Sequence, residues 1–319
     1  MMSLALVHYR SYRSSIAVLV TLAALFGFNP VFGDGSKDDQ KDRFDYHYSK
    51  EFDLKDHGTK TEKGALVQDI DYASFKNRHG RIKAYLVRPK GQGQFAGILF
   101  FHWLGEKKAD RSEFLDEAVE LANHGAVSLL IQGFFPWSEE PTEGKVDRQK
   151  VIDQTIEVRR AIDLLLLQPG VDANRIGFVG HDYGAMFGAI TAGLEHRAKA
   201  YVFVAGMGGF ADWSLKFWTG PSKNGEQTYR EAVKPVAPID FIKAAAPASL
   251  LFQFSNNDKY IPRAEADSFF QAASEPKAIK WYDTDHELAI DSVARDRSSW
   301  LTEQLGLGSP TVSESVSAD

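Results

Sequence analysis

Cysteine is absent from the 319 residues of this chain, and its absence excludes several kinds of protein. No disulfide framework, cysteine nucleophile, thiolate metal site or lipid-modified N-terminal cysteine can be built without it. A basic excess is also missing, because 37 Lys and Arg face 43 Asp and Glu, and this balance gives no electrostatic basis for binding nucleic acid. The remaining composition, 44% hydrophobic and 25% charged, is typical of a globular protein with a sizeable core.

An apolar run long enough to span a membrane is missing as well. Arg10 and Arg13 precede an almost wholly apolar stretch at residues 15–28, which is shorter than the roughly 20 residues that cross a bilayer. Small residues around Gly33 follow, as at the cleavage site of a signal peptide. We therefore predict a signal peptide at residues 1–33, export to the periplasm or the cell exterior, and no stable membrane span after cleavage. An uncleaved membrane anchor is the alternative.

The rest of the chain divides into one domain and two polar flanks. Residues 34–63 are charge-rich and are interpreted as a flexible lead-in, and residues 308–319 are interpreted as a flexible tail. Residues 64–307 form the single predicted domain. Within it, the strand pattern stops at residues 205–246, where aromatic side chains are frequent, and we predict a short lid over a pocket there. The sequence carries no signal for the oligomeric state.

Strand-like and helix-like patterns alternate within this domain. Continuous apolar runs suit strands that are buried on both faces, and a long helical stripe ends before Pro169 and Gly170, which are typical stop signals. This alternation predicts an α/β fold with a mostly parallel sheet covered by helices on both faces. The predicted strands are residues 82–87, 96–101, 127–131, 175–179, 200–204, 250–254 and 279–282, and the predicted helices include residues 111–124, 147–167 and 185–194.

Functional side chains are expected on the loops at the carboxyl ends of the parallel strands. The loop after residues 175–179 reads GHDYG at residues 180–184, which has the spacing of a nucleophile elbow with Asp182 at its centre. A tight strand-to-helix turn of this kind projects its central residue above the sheet, near the amino end of the next helix. The alternative is an ordinary turn in which Asp182 caps that helix.

A histidine and an acid follow later strands. His286 comes after the last predicted strand and Asp258 after the strand before it, so the chain order is Asp182, Asp258, His286. This is the nucleophile–acid–histidine order of a sheet with such an elbow. We predict that His286 is the catalytic base and that Asp258 orients it. Asp212 stays open as a rival orienting acid, and a surface or capping position stays open for His286.

These features resemble the α/β-hydrolase superfamily over roughly residues 66–305, and the spacing is most similar to its dienelactone hydrolase-like branch. The resemblance also rests on GILFFH at residues 97–102 and QPGVDANRIG at residues 168–177, which runs into the elbow. Members usually carry serine or cysteine where this chain has Asp182. Aspartate at that position resembles haloalkane dehalogenases and epoxide hydrolases, which commonly have tryptophan in place of Tyr183 and a larger cap domain.

The resemblance implies an oxyanion or leaving-group pocket built from two loops. His102-Trp103-Leu104-Gly105 matches the loop after the third strand of the family. By analogy, the backbone N–H groups of Trp103 and Tyr183 converge on developing negative charge. Packing of Trp103 in the core is the alternative. Four side chains are predicted to line the substrate pocket: His102, Trp213, Trp218 and Tyr229.

Two classes of function are compatible with these residues. The first is a hydrolase in which Asp182, an anion at neutral pH, attacks a carbon to form an ester that His286 then hydrolyses with water. A halide or an epoxide is favoured as the small-molecule substrate, with a carboxylic ester or lactone as the alternative. The second class is a non-catalytic ligand-binding relative. It is suggested because Asp182 and Trp103 both differ from the residues that the family usually carries at these positions. Metal-ligand spacing and phosphate-binding motifs are missing, so no metal and no cofactor is predicted.

Overall fold

The computed structural model describes residues 42–49, 51–105, 109–134, 143–217 and 225–308. The fold belongs to the unit Arg43–Asp319. Its strands are β1 Lys55–Glu62, β2 Ala65–Ala73, β3 Arg81–Arg88, β4 Phe95–Phe101, β5 Ala126–Ile131, β6 Val171–His181, β7 Ala200–Val204, β8 Ser249–Ser255 and β9 Lys277–Tyr282. In this part of the chain they form one sheet with the order β1-β2-β3-β5-β4-β6-β7-β8-β9.

The strand directions confirm the predicted mostly parallel sheet. Strands β4 to β9 pair in parallel with their neighbours among themselves, and β1, β2 and β3 add an antiparallel edge. β4 and β5 are buried along their whole length, which is why their sequences are continuous apolar runs instead of alternating ones. Because the carboxyl ends of parallel strands lie at one edge of the sheet, the loops after β4, β6, β8 and β9 meet there.

The helices are α1 Leu115–Asn123, α2 Gly144–Leu166, α3 Tyr183–Leu194, α4 Phe210–Phe217, α5 Glu226–Val233, α6 Pro238–Phe241, α7 Arg263–Ala272 and α8 Asp291–Leu305. They cover both faces of the sheet. A Cβ on Gly177 of β6 would lie 2.9 Å from Leu305 of α8, and the next residue, Phe178, places its ring against Gly188 of α3. Successive residues of a strand point to opposite faces, so α8 and α3 lie on opposite sides. α1 contacts α8, and α2 contacts α3.

The N-terminal edge of the sheet differs from the prediction. Residues 55–62, interpreted as part of a flexible lead-in, form β1 and pair antiparallel with β2. The side chains of β1 are polar and almost all exposed, so no apolar alternation signals this strand in the sequence. Phe52, just before it, is buried and packs edge-on against Tyr72 of β2, with ring centroids 5.7 Å apart. The domain therefore begins before residue 64.

Several predictions concern residues outside those that the structure describes. They are the signal peptide at residues 1–33, residues 34–41 of the lead-in, Trp218, and residues 309–319 of the tail. Within residues 205–246, predicted as a lid, the described chain forms α4, α5 and α6. Among the helices described, none combines the length and the hydropathy needed to cross a membrane.

Candidate active site

A sharp turn between β6 and α3 holds Asp182, at the centre of the elbow. Asp182 has φ of 53° and ψ of −116°, a backbone conformation that residues with a side chain rarely adopt. The turn requires glycine on both sides. A Cβ on Gly184 would lie 2.3 Å from the carbonyl oxygen of Phe101, and a Cβ on Gly180 would lie 2.4 Å from the carbonyl carbon of Gly184. The close approach of β4, β6 and α3 thus explains both glycines.

The carboxylate of Asp182 is buried and is anchored through one of its two oxygens. The main-chain N–H of Leu104 donates to Oδ2 at 3.3 Å, and the main-chain N–H of Tyr183 also bonds to the carboxylate. Oδ1 has no hydrogen-bond partner among the described residues and lies 4.0 Å from Nε2 of His286. Burial raises the pKa of Asp182 to about 7, although the charge of His286 and the two N–H groups oppose the increase. The carboxyl predicted to be an anion at neutral pH is therefore ionised in only part of the molecules at pH 7.

His286 and Asp258 form a buried pair on the loops after β9 and β8. Nδ1 of His286 lies 2.8 Å from Oδ2 of Asp258, whose Oδ1 accepts the main-chain N–H groups of Tyr260 and Ile261 at 2.8 and 3.0 Å. Burial alone would raise the pKa of Asp258, but the hydrogen bond and charge of His286 and these N–H groups hold it below its ordinary value. The ionised carboxylate holds a proton on Nδ1 of His286, and Nε2 of the same ring faces Asp182.

The rival orienting acid, Asp212, lies on α4 and has another partner. It forms an ion pair with Arg230 of α5, and 53% of the Asp212 side chain is exposed. An exposed pair of this kind is screened by water. The structure therefore brings Asp258, and not Asp212, to the ring of His286.

The main-chain N–H that reaches Asp182 from the loop after β4 belongs to Leu104 and not, as predicted, to Trp103. The main-chain N–H of Trp103 donates to Oε2 of Glu113 at 2.8 Å and is thereby directed away from Asp182. The following N–H, that of Leu104, reaches the carboxylate instead. The indole of Trp103 is buried and stacks on the imidazole of His181, with ring centroids 5.3 Å apart. Its side chain thus packs inside the protein, as in the alternative interpretation.

Two residues predicted to line the substrate pocket have structural partners instead. His102 is buried, with Nδ1 donating to the carbonyl of Trp103 at 2.7 Å and Nε2 accepting the main-chain N–H of Gly133 at 2.9 Å. Burial lowers the pKa of His102, in agreement with a neutral ring. Tyr229 is buried on α5 and donates its hydroxyl to Asp147 of α2 at 2.8 Å. The polar groups of both side chains therefore join segments of the fold.

Aromatic side chains surround the imidazole of His286. The ring centroids of Trp213 and Tyr260 lie 5.6 and 5.0 Å from that of His286, and Trp213 meets the ring of Tyr183 edge-on at 5.6 Å. Nε1 of Trp213 is buried and lacks a hydrogen-bond partner within the described chain. Trp213 therefore lies beside His286. Nothing in the sequence indicates that Tyr260 belongs to the site except its position two residues after Asp258.

A second acid–histidine pair, which the sequence analysis does not indicate, lies beside the first. Nδ1 of His181 lies 2.6 Å from Oε1 of Glu113, and Nε2 lies 3.1 Å from the main-chain carbonyl oxygen of His286. The imidazole rings of His181 and His286 are 5.7 Å apart. In the sequence, the position of His181 at the end of a buried strand and directly before Asp182 is the feature that could have indicated this pair.

A cavity of about 1310 Å³ between α1 and α8 is lined by Trp103, Glu113 and His181 among others.

The acids and histidines described at this edge are arranged as pairs. Within the described ranges, no group of three or more His, Asp or Glu side chains is placed to hold a metal ion. Each imidazole has a carboxylate at Nδ1, Asp258 for His286 and Glu113 for His181. The chemistry of the site therefore depends on what lies at the other nitrogen of each ring and at Asp182.

Solved structures with a similar fold include several esterases. An acetyl xylan esterase from Paenibacillus sp. R4 matches with a TM-score of 0.67 and 17% identity, over 84% of this chain and 93% of that one. Acetyl xylan esterase 1 from Thermoanaerobacterium sp. matches with a TM-score of 0.66 and 13% identity, over the same shares. The esterase domain of a Rhodothermus marinus protein matches with a TM-score of 0.54 and 21% identity, over 75% of this chain and 99% of that one.

At these identities the similarity establishes the fold and leaves the reaction open to argument from the site. The chain has the α/β-hydrolase fold, with the elbow, the acid and the histidine on loops at the carboxyl edge of its sheet. No protein-family model and no curated protein sequence matches the chain.

Proposed function

We propose that this protein is a hydrolase in which Asp182 is the nucleophile and His286, oriented by Asp258, is the base. One observation carries the proposal. Oδ2 of Asp182 is anchored by a main-chain N–H, while Oδ1 has no hydrogen bond and faces Nε2 of His286, which lacks a hydrogen-bond partner in the described residues as well. Buried polar atoms without partners are rare in folded proteins, so two of them facing each other call for an explanation.

In the first step, Oδ1 of ionised Asp182 attacks an electrophilic carbon of the substrate. A carbon–oxygen bond forms, and the bond from that carbon to a halide or to an epoxide oxygen breaks and its electron pair leaves with that atom. The anchoring of Oδ2 by Leu104 holds the carboxylate so that Oδ1 points out of the elbow. The product of this step is an alkyl ester on Asp182.

In the second step, His286 activates water to hydrolyse this ester. Nε2 takes a proton from water, the water oxygen attacks Cγ of Asp182, and the negative charge develops on Oδ2, where the N–H of Leu104 already points. The Cγ–Oδ1 bond then breaks, and the product alcohol leaves with Oδ1 and the proton from Nε2. Asp258 stabilises the positive charge on the His286 imidazole meanwhile.

A substrate with a leaving halide has one further observation in its favour. Nε1 of Trp213 is a buried N–H without a partner in the described part of the chain, on a ring beside His286. A donor of this kind stabilises a leaving anion, and its unmet hydrogen bond favours a ligand that can accept it. We therefore place alkyl halides and epoxides first among the substrates of the proposed hydrolase.

Hydrolysis of carboxylic esters is the second candidate, and the similarity to esterases favours it. The solved structures named above are acetyl xylan esterases and an esterase domain. In this chain, however, the N–H of Leu104 is occupied by Oδ2 of Asp182, so a substrate carbonyl would have to displace that oxygen. Attack of Asp182 on an ester carbonyl would also create an anhydride of high energy. His286 would then act as a general base on water directly.

The proposed nucleophile is tested by intact mass spectrometry of His286→Ala. The variant is incubated with bromoethane, styrene oxide or nitrophenyl acetate, beside a His286→Ala/Asp182→Asn control. We expect one equivalent of adduct on the peptide that contains Asp182 with one of the first two probes, because attack does not require His286 while water attack does. No adduct with any probe that the wild type consumes would contradict the proposal. A wild type that consumes none of them would favour the non-catalytic ligand-binding relative.

We also propose, from the sequence of residues 1–33, that the protein is exported and that a signal peptide is removed near Gly33. The short apolar run behind Arg10 and Arg13 supports this proposal. Amino-terminal sequencing of the native protein tests it, and a native chain that begins at Met1 or Met2 would contradict it.

A further inference from the structure

We propose that Glu113 and His181 form a carboxylate–imidazolium pair that positions the reactive groups at Asp182. The pair holds the main chain of His286 on one side and the main chain of Trp103 on the other. The inference deepens the proposed function and rests on it for the roles of Asp182 and His286. The contacts of the pair are independent of those roles.

The hydrogen bonds of His181 determine where its protons lie. Nε2 lies 3.1 Å from the carbonyl oxygen of His286, and because a carbonyl oxygen only accepts, Nε2 must carry a hydrogen. Nδ1 lies 2.6 Å from Oε1 of Glu113, the short distance of a charge-assisted bond. Oε2 of the same carboxylate accepts the N–H of Trp103 at 2.8 Å, which favours its ionised form. Both nitrogens of His181 therefore donate, and the ring is an imidazolium.

Glu113 acts on the loop that carries the N–H donor to Asp182. Its Oε2 holds the N–H of Trp103, and Nδ1 of His102 holds the carbonyl of Trp103 at 2.7 Å. That carbonyl and the N–H of Leu104 belong to one peptide group. The two bonds therefore determine the direction of the Leu104 N–H, which anchors Oδ2 of Asp182.

His181 acts on the loop that carries the base. Its Nε2 hydrogen holds the carbonyl of His286, while Asp258 holds the ring of His286 from the other side. The indole of Trp103 lies flat on the imidazole of His181 with an interplanar angle of 10°, which restrains the His181 ring. A histidine whose main chain and ring are both held keeps Nε2 in one place, and small displacements of a catalytic group are costly.

The pair is a positioning device and does not exchange protons with the reacting atoms. Both nitrogens of His181 are engaged, so neither is available to water or substrate. Burial is the largest cause of the raised pKa of Asp182, and the negative charge of nearby Glu113 adds to it.

The protonation of His181 is tested first, by nitrogen NMR of the full chain without substrate. Ring resonances of His181 are assigned by their loss in His181→Asn. We expect both ring nitrogens of wild type to resonate as protonated nitrogens, and Glu113→Gln to return one of them to the position of an unprotonated nitrogen. A single protonated nitrogen in the wild type would overturn the imidazolium pair, whatever the enzyme does with any substrate.

The positioning role is tested by steady-state kinetics with the probe from the mass experiment that the wild type turns over. Asparagine at residue 181 keeps a polar group near Glu113 but is too short to reach the carbonyl of His286, whereas glutamine reaches further. We expect His181→Asn to lower kcat about 10²-fold while kcat/KM changes little, because ester hydrolysis slows and attack does not. We expect His181→Gln to recover at least about a tenth of wild-type kcat.

Glu117→Gln is the matched control, because Glu117 is buried on α1 beside Glu113 and pairs with Arg297 of α8 without contacting the site. We expect its kcat to stay within about twofold of wild type after correction for the folded fraction. Equal losses of kcat and kcat/KM in His181→Asn, in proportion to lost folded protein, would show a merely structural role and overturn the proposal. If no probe is consumed by wild type, the proposed function fails, and the nitrogen resonances still decide the pair.

Discussion

Two buried carboxylate–histidine pairs lie side by side at the carboxyl edge of the sheet, and they differ in what the second nitrogen of the ring meets. In the Asp258–His286 pair, Nε2 lies 4.0 Å from Oδ1 of Asp182, beyond hydrogen-bond distance. In the Glu113–His181 pair, Nε2 is bonded to a main-chain carbonyl. The rings are only 5.7 Å apart and both are buried, so burial and proximity do not distinguish them.

The partner of Nε2 determines which of the two pairs is able to react. A ring whose two nitrogens are both bonded inside the protein has no atom left to take a proton from water. His286 keeps such an atom, and Asp182 keeps an unbonded oxygen opposite it. The unbonded atoms, more than the residue types, mark the reactive pair and its nucleophile. In the Glu113–His181 pair, Nδ1 of the imidazole is bonded to Glu113 and Nε2 to the main chain of His286.

The largest expected effect is that of removing the charge of Asp182. Asp182→Asn keeps the shape of the side chain but removes the attacking charge, so we expect kcat/KM to fall about 10⁴-fold or more. The rate is measured on freshly purified variant with the probe that the wild type consumes best. Residual activity above about a tenth of wild type would show that the reaction does not pass through Asp182.

The same variant should change the pH dependence of stability. Burial raises the pKa of Asp182 from 3.8 to about 7, so between these values the folded protein keeps a proton that the unfolded chain releases. The free energy of unfolding therefore falls as pH rises through this window, by up to about 4 kcal/mol for this group. Urea unfolding at pH 4 and pH 8 should show Asp182→Asn gaining stability relative to wild type only at the higher pH. An equal difference at both pH values would contradict the raised pKa.

Two matched variants test whether Asp258 or Asp212 orients His286. Asp258→Asn removes the charge at Nδ1 of His286, so we expect kcat to fall about 10²-fold, the lower end of the contribution of general-base catalysis. Asp212→Asn removes one partner of an exposed ion pair on α4 and is expected to change kcat by less than about twofold. The assignment of Asp258 would be refuted by the reverse order of the two losses in steady-state assays.

The smallest expected effect separates the two candidate substrate classes. Trp213→Phe removes the unpartnered indole N–H beside His286 while keeping an aromatic ring. We expect turnover of bromoethane to fall about tenfold, which corresponds to about 1.4 kcal/mol of lost leaving-group stabilisation, and any turnover of nitrophenyl acetate to stay within about twofold. Phe217→Leu, which changes a ring that packs on Trp213 and Tyr260, is the packing control. Equal losses on both probes would remove the argument for a halide.

The fold and the three residues Asp182, Asp258 and His286 could be placed from the sequence, because each follows an apolar run that reads as a buried strand. The ends of parallel strands meet at one edge, so the positions of the loops follow from the pattern. β1 could not be predicted because its exposed polar side chains carry no alternation. Its partner β2 is not among the predicted strands for a related reason, since polar residues interrupt its apolar positions.

The direction of a group within a loop could not be predicted. The sequence shows that Trp103 and Leu104 follow β4, but the choice between their N–H groups depends on Glu113, ten residues further along the chain. In the same way, His102 and Tyr229 have the residue types of a polar pocket and are nevertheless turned into the protein. Such directions depend on long-range hydrogen bonds that no local pattern contains.

A single turnover in water enriched in oxygen-18 shows whether Asp182 forms a covalent ester with the substrate. Wild-type protein in excess over the best probe is allowed to react once. The masses of the product alcohol and of the peptide containing Asp182 are then measured separately by mass spectrometry. Because water attacks Cγ and the alcohol leaves with Oδ1, we expect one oxygen-18 atom in the carboxylate of Asp182 and none in the product. Oxygen-18 in the product and an unlabelled Asp182 would show that His286 directs water onto the substrate itself, and would contradict the covalent role of Asp182.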